Sequence, residues 1–307
     1  MADEEKTGVF FGLAAYLVWG FFPLYFKQVA TVPATEVLGH RILWSALFLL
    51  GLVFLRRQQP ELQRLLRQPR LLLQLTATTI LIAINWLVFI YAVSAGHVLQ
   101  SSLGYFIGPL VSALLGVTFL KERLNLLQSC SLLLATAGVI YLTLQQGELP
   151  WIALSLAFSF ALYGLLRKQA GVGPILGLSI ETLLLSPFAL FFLYVLHFKG
   201  ELCFGGGTIL DLWLPLCGVV TALPLIWFNA AAKRLRLVTM GFLQYITPSM
   251  QFLSAVFLFN EPFDQGRLLG FCLVWSGLLL YSVNALRQAS NRHGSTSIKI
   301  VPNLPAE

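Results

Sequence analysis

The chain has 307 residues, of which 57% are apolar and only 11% are charged. A soluble domain carries about 25% charged residues, so a water-exposed globule of this size could not cover its surface, whereas a bilayer solvates apolar side chains directly. The net charge of +7 does not point to nucleic acid, because Lys and Arg sit in short clusters between apolar runs, as in loops that face anionic lipid.

A hydrocarbon core about 30 Å thick needs roughly 20 apolar residues per crossing helix. In chain order the apolar runs predict ten membrane helices, near 8–26, 37–55, 71–93, 101–120, 126–144, 150–166, 175–196, 211–231, 238–259 and 267–286. The first follows the acidic Asp3-Glu4-Glu5, is too long for a signal-peptide core and has no small-residue cleavage site behind it, so it is expected to be retained. The termini and even-numbered loops hold 16 Lys and Arg, Arg167 and Lys168 among them, while the odd-numbered loops hold only Lys27, Lys199 and Arg267. That alternation predicts cytoplasmic N- and C-termini. The four cysteines, Cys130, Cys203, Cys217 and Cys272, form no CxxC pair and read as small core residues, with Cys203 in a loop.

An internal repeat runs through these segments. Shifted by 139 residues, Ile107 meets Ile246, Phe106 meets Tyr245, Pro109 meets Pro248, Glu122 meets Glu261 and Gly138 meets Gly277, without a gap. A shift of 141 sets Lys27-Gln28 on Lys168-Gln169. Each half then holds five spans, and because five is odd the second half inserts upside down. Two inverted halves that exchange conformations give outward-open and inward-open states of similar energy, with a binding site at their shared interface.

Several stretches together resemble a known family. They are Ala14-Ala15-Tyr16 with Trp19-Gly20 and Tyr25-Phe26-Lys27, His40-Arg41-Ile42-Leu43-Trp44-Ser45, Asn85-Trp86, and Ser102-Leu103-Gly104-Tyr105-Phe106. Phe158-Ser159-Phe160-Ala161 with Tyr163-Gly164, Glu181-Thr182, and Arg234 through Tyr245 continue the series. Over residues 8–287 the chain resembles the drug/metabolite transporter superfamily in its EamA branch, and is similar to RarD-type permeases. The resemblance implies an all-α membrane protein with a first EamA repeat over 1–145, a second, inverted repeat over 146–288 and a polar cytoplasmic tail over 289–307. It also implies export or exchange of small metabolites or drugs, chloramphenicol among them, across the plasma (bacterial inner) membrane.

Charges inside apolar spans carry a cost of a few kcal/mol and need a reason. Glu181 lies about six residues into the seventh span, roughly 9 Å deep. It is read either as a protonatable coupling group or as half of a buried ion pair. His40 and Arg41 begin the second span, and the 141 shift sets His40 on Glu181. Histidine as a residue type titrates near physiological pH, and Arg41 either snorkels to headgroups or binds an anionic substrate.

The polar and aromatic cavity candidates are Trp19, Tyr25, Asn85, Trp86, Ser102, Tyr105, Tyr163, Asn229, Gln244 and Tyr245. They serve either as interface anchors and helix-to-helix contacts or as the lining of a pocket for a planar or amphiphilic substrate. Pro109 and Pro248, at matching mid-helix positions, are candidate gating kinks, since proline removes a backbone hydrogen bond. Glu122 and Glu261 read as ion-pair partners of nearby Lys121, Arg123 or Arg267.

No phosphate-binding GxxxxGK[ST] motif, no HExxH and no clustered nucleophile with its base occur, and Gly205-Gly206-Gly207 reads as a flexible turn. The chain is therefore read as a non-enzymatic carrier without cofactor or metal, whose partners are a small-molecule substrate and the lipid bilayer. A homodimer is compatible with the sequence. A membrane-embedded enzyme and a non-transporting receptor or scaffold are the alternatives.

Overall fold

The computed structural model describes residues 2–94, 98–144, 151–257 and 265–296, and these contain helices and no strands. Helix is what a continuous apolar run must form in lipid, because every N–H and C=O then finds its partner within the segment. The helices are α1 (Ala2–Gly20), α2 (Phe22–Gln28), α3 (Ala34–Leu55), α4 (Gln59–Leu66), α5 (Pro69–Ser94), α6 (Val98–Phe119) and α7 (Leu126–Leu144). They continue with α8 (Trp151–Gln169), α9 (Pro174–Lys199), α10 (Leu210–Arg234), α11 (Leu237–Gln244), α12 (Ile246–Phe257) and α13 (Gln265–Thr296). By length and composition seven of the described spans are able to cross a membrane, and 104–119 and 268–284 are shorter apolar helices.

The polarity of the molecule is inverted relative to a soluble protein. Phe198, Leu73 and Phe54 are 82%, 75% and 71% exposed, while Glu36, Glu181 and Arg167 are buried. Only an apolar solvent makes that distribution favourable.

Within the described residues the predicted spans lie on helix, but two are broken. The first divides at Phe21 into α1 and α2, and the ninth divides at Tyr245 into α11 and α12. Each break lies just before a proline, Pro23 or Pro248, whose missing N–H removes one intrahelical bond. Pro109 is different: α6 runs through it unbroken. Pro187, Pro215 and Pro224 also lie inside helices. The Arg-rich loop after the second span contains α4, which buries Leu62 and Leu65 one turn apart. That is the form of a short interfacial helix.

The described chain falls into two compact units, 1–122 with 148–263, and 123–147 with 264–307. In the larger, α1 packs on α10 and α12, α3 on α9 and α10, α5 on α8 and α9, and α6 on α8 and α11. Glycine lets several of these helices approach closely. A Cβ at Gly241 would lie 2.6 Å from the Pro109 carbonyl oxygen, and one at Gly218 would overlap the backbone of Trp44 and Ser45. In the smaller unit α7 packs on α13, with Gly138 against Gly270 and Gly277 against Ser131. Helix α13 continues to Thr296, into the expected polar tail.

Two connections are pinned by charge. The Glu122 carboxylate accepts the Leu237 and Val238 N–H groups at 2.7 and 3.0 Å, capping α11, with Arg236 Nε 3.8 Å away. Lys168 Nζ donates to the Ala232 and Leu235 carbonyls at the end of α10. Glu122 therefore caps α11 and lies beside Arg236, and Glu261 lies outside the described residues. The glycine loop is also tied down: Asp211 accepts the N–H groups of Gly205 and Gly207 at 2.7 and 2.8 Å. Both glycines have positive φ, +95° and +70°, which a side chain would strain.

Candidate functional site

Glu181 stands two turns into α9 and is 1% exposed. Its Oε1 accepts the Thr78 hydroxyl of α5 at 2.6 Å and lies 3.5 Å from Arg167 Nε of α8. Its Oε2 accepts the Tyr163 hydroxyl at 3.2 Å. Asn229 of α10 closes the circuit: its amide nitrogen donates to the Tyr163 oxygen at 3.1 Å, and its carbonyl oxygen accepts Arg167 Nε at 3.1 Å. Carboxylate, phenol, amide and guanidinium thus form a ring drawn from α8, α9 and α10, braced by Thr78 from α5. Gly177, one turn before Glu181, makes room for the guanidinium, since any side chain there would overlap it. Arg167 Nη1 is sealed from solvent without a hydrogen bond. Both of its neighbours in the ring, Tyr163 and Arg167, present donors to the carboxylate. Protonating it would release Arg167.

Tyr163 joins this ring to an aromatic cluster. Phe160 stacks near Tyr163 at 6.0 Å, Phe228 lies 5.0 Å from Phe160, and Trp19 lies 5.6 Å from Phe160 and 5.8 Å from Phe228. Tyr16 stands 5.6 Å from Trp19, and its buried hydroxyl has no hydrogen-bond partner. The rings come from α1, α8 and α10, with edge-on and tilted contacts typical of aromatic packing.

A second arginine sits in α3. Arg41 is 6% exposed, and its Nε donates to the Thr221 hydroxyl of α10 at 3.0 Å. Its guanidinium lies 4.9 Å from the Trp86 ring centre and 5.4 Å from that of Phe26. Tyr25, Tyr105 and Cys217 are within electrostatic reach. Tyr25 itself donates its hydroxyl to the Trp213 carbonyl.

His40, beside Arg41, faces elsewhere. Its Nδ1 accepts Trp44 Nε1–H at 3.2 Å, its Nε2 is 3.7 Å from Glu36, and its ring is 4.9 Å from Phe204. Glu36 in turn accepts the N–H groups of Cys203 and Phe204 at 2.9 and 3.2 Å. This group fastens the 200–209 loop to the start of α3. His40 and Glu181 therefore belong to separate networks.

The remaining candidates are dispersed. Asn85 donates its amide to the Leu156 carbonyl and Ser159 hydroxyl, both at 3.0 Å, joining α5 to α8. Tyr105 packs on Phe89. Gln244 packs over Gly108. Tyr245 packs between Phe106 and Phe242 with its hydroxyl buried and unpartnered. The Ser102 side chain lies outside the described residues.

Sequence reasoning overlooked Arg167, Thr78, Thr221, Glu36, Phe160 and Phe228. The span boundary at 166 places Arg167 in a loop, but it is 2% exposed and helical. The available signal was its position one turn after Tyr163, on the same helix face.

The pattern that describes the EamA-like transporter family matches residues 6–144. An uncharacterized transporter, YojE, of Bacillus subtilis (strain 168) is 43% identical, over 94% of this chain and 99% of that one. The protein RarD of Escherichia coli (strain K12) is 42% identical, over 93% and 97%. A chloramphenicol-sensitive protein RarD of Pseudomonas aeruginosa is 33% identical over the same shares. One crystal structure, 16% identical, has the same fold at a TM-score of 0.70, covering 92% of this chain and 99% of that one. Relatives of this kind are transporters rather than enzymes, and they work in a lipid bilayer on small molecules. The chain thus belongs to the EamA-like transporter family, as a RarD-type permease.

Proposed function

We propose that the chain is a secondary transporter of the plasma (bacterial inner) membrane, exporting or exchanging small metabolites or drugs by alternating access. The ring of Glu181, Arg167, Tyr163 and Asn229 carries this reading. It is a buried, titratable and self-contained circuit that abuts an aromatic cluster, so a proton or a substrate group competing for one member must open the rest. A purely structural pair would gain little from burial, since desolvating two ions commonly outweighs their attraction.

The architecture we propose is ten crossing helices in two inverted five-helix repeats, over 1–145 and 146–288, with both termini cytoplasmic. The packing pattern supports it. Exchange α1 with α8, α3 with α9, α5 with α10, and α6 with α11–α12, and most neighbouring pairs map onto one another; the α8–α10 packing is the exception, with no matching α1–α5 packing of that extent. The match extends to single residues. Gly104 of α6 sits on Ala153 of α8, and their counterparts under the 139 and 141 shifts, Leu243 and Gly12, also touch. In this reading Trp19 and Tyr163 line the path. The break at Tyr245, before Pro248, together with the backbone bond that Pro109 lacks inside α6, gives α6 and α11–α12 the freedom to gate it.

The test is flux into proteoliposomes containing the purified protein, with and without an imposed pH gradient. Wild type responds to the gradient; Glu181→Gln retains movement down a solute gradient but loses the pH response. Equal responses in both proteins would remove Glu181 from coupling.

A further inference from the structure

The two buried arginines of the larger unit differ in one respect. Arg167 is neutralised by Glu181 and enclosed by Tyr163 and Asn229. Arg41 makes no ion pair among the described residues, and its single hydrogen bond uses Nε. Among the described residues its two terminal nitrogens make no hydrogen bond, and they do not belong to the fully sealed, unpartnered atoms as Arg167 Nη1 does. The nearest acid in sequence, Glu36, is turned toward the Cys203 and Phe204 N–H groups and His40 rather than Arg41. A cation held in apolar surroundings without a counter-ion is unfavourable. Thr221, Trp86 and Phe26 nevertheless fix its plane from three helices. A fixed guanidinium with a free two-nitrogen edge matches a carboxylate or phosphate, which it binds through two parallel hydrogen bonds.

We propose that Arg41 is the recognition point for an organic oxyanion, so that the transported solute carries a carboxylate or phosphate group. This rests on the transport reading above. Trp86 and Phe26 hold the guanidinium by its faces and leave its edge to the solute, whose organic part extends toward Tyr105 and Phe89, themselves a ring pair 6.1 Å apart.

The experiment uses the full chain in phosphatidylcholine nanodiscs, titrated with benzoate, phenyl phosphate and the neutral isostere benzamide. Thermal unfolding and tryptophan fluorescence are the readouts. Benzoate or phenyl phosphate should raise the melting temperature saturably, and benzamide should not. Arg41→Gln should weaken anion binding by about tenfold or more, and Arg41→Lys by less, since it keeps the charge but not the planar fork. Without anion, Arg41→Gln should melt above wild type, because an uncompensated charge has been removed; a merely structural arginine would do the reverse.

The proposal is overturned if benzamide binds as well as benzoate, or if Arg41→Gln binds unchanged and melts lower. It is also overturned if inorganic phosphate, or phosphatidylglycerol added to the nanodisc, saturates the site and blocks benzoate, which would make the occupant a free ion or a lipid headgroup. Proteoliposome flux separates the two readings. Anion binding at Arg41 with no solute movement would defeat the carrier and leave the site. Movement of benzamide and benzoate alike, unchanged in Arg41→Gln, would defeat the site and leave the carrier.

Discussion

At the scale of single residues, the ring around Glu181 gives the sharpest expectations. Glu181→Gln leaves Arg167 as an uncompensated buried cation, and breaking such a pair costs about 3–5 kcal/mol. Replacing both, as Glu181→Gln with Arg167→Met, should cost much less than the sum of the single changes. A double-mutant cycle on denaturant unfolding of the purified protein measures this; additive costs would show that the two groups do not interact. Tyr163→Phe removes the hydroxyl that both donates to Glu181 and accepts from Asn229. The orphaned amide donor should cost about 1–3 kcal/mol in the same assay. Glu181 was legible because one carboxylate interrupts an apolar run. Arg167 was not, because it stands at the end of its run, where a cation ordinarily belongs to the loop. Drawing that span three residues longer, to Gln169, turns it into the obvious partner.

At the scale of helices, glycine position separates tight crossings from open surface. Gly51 of α3 has nothing within 4 Å of where a Cβ would stand, whereas a Cβ at Gly218 would run into the backbone of Trp44. Gly51→Ala should therefore be neutral or stabilising by up to about 1 kcal/mol. Gly218→Ala should force α10 away from α3 and weaken the Ser45–Gly218 hydrogen bond of 3.0 Å. Melting temperatures of the two variants in one detergent check the contrast, and an unchanged Gly218→Ala would contradict the packing. Composition revealed where helices run but not where they break. Pro109, Pro23 and Pro248 look alike in the sequence, yet only the last two interrupt their helices, because the surroundings decide whether the lost bond is absorbed by bending or by a break. The eight-residue α4 escaped notice because its two buried leucines lie among arginines.

At the scale of the whole molecule, sidedness follows from the distribution of cations. Single cysteines at Arg57 and Lys199 should react with an impermeant maleimide from opposite sides of sealed vesicles; labelling from one side would refute the alternating topology. The tie between the Glu122 carboxylate and the start of α11 joins groups 115 residues apart. Because domains form from the N-terminus during synthesis, this acceptor is in place well before its two N–H donors emerge from the ribosome. A chain that stops short of Leu237 would leave that carboxylate stranded at the rim of an apolar bundle. Chains that extend past Val238 satisfy it, so this one contact reports whether synthesis has passed the start of α11.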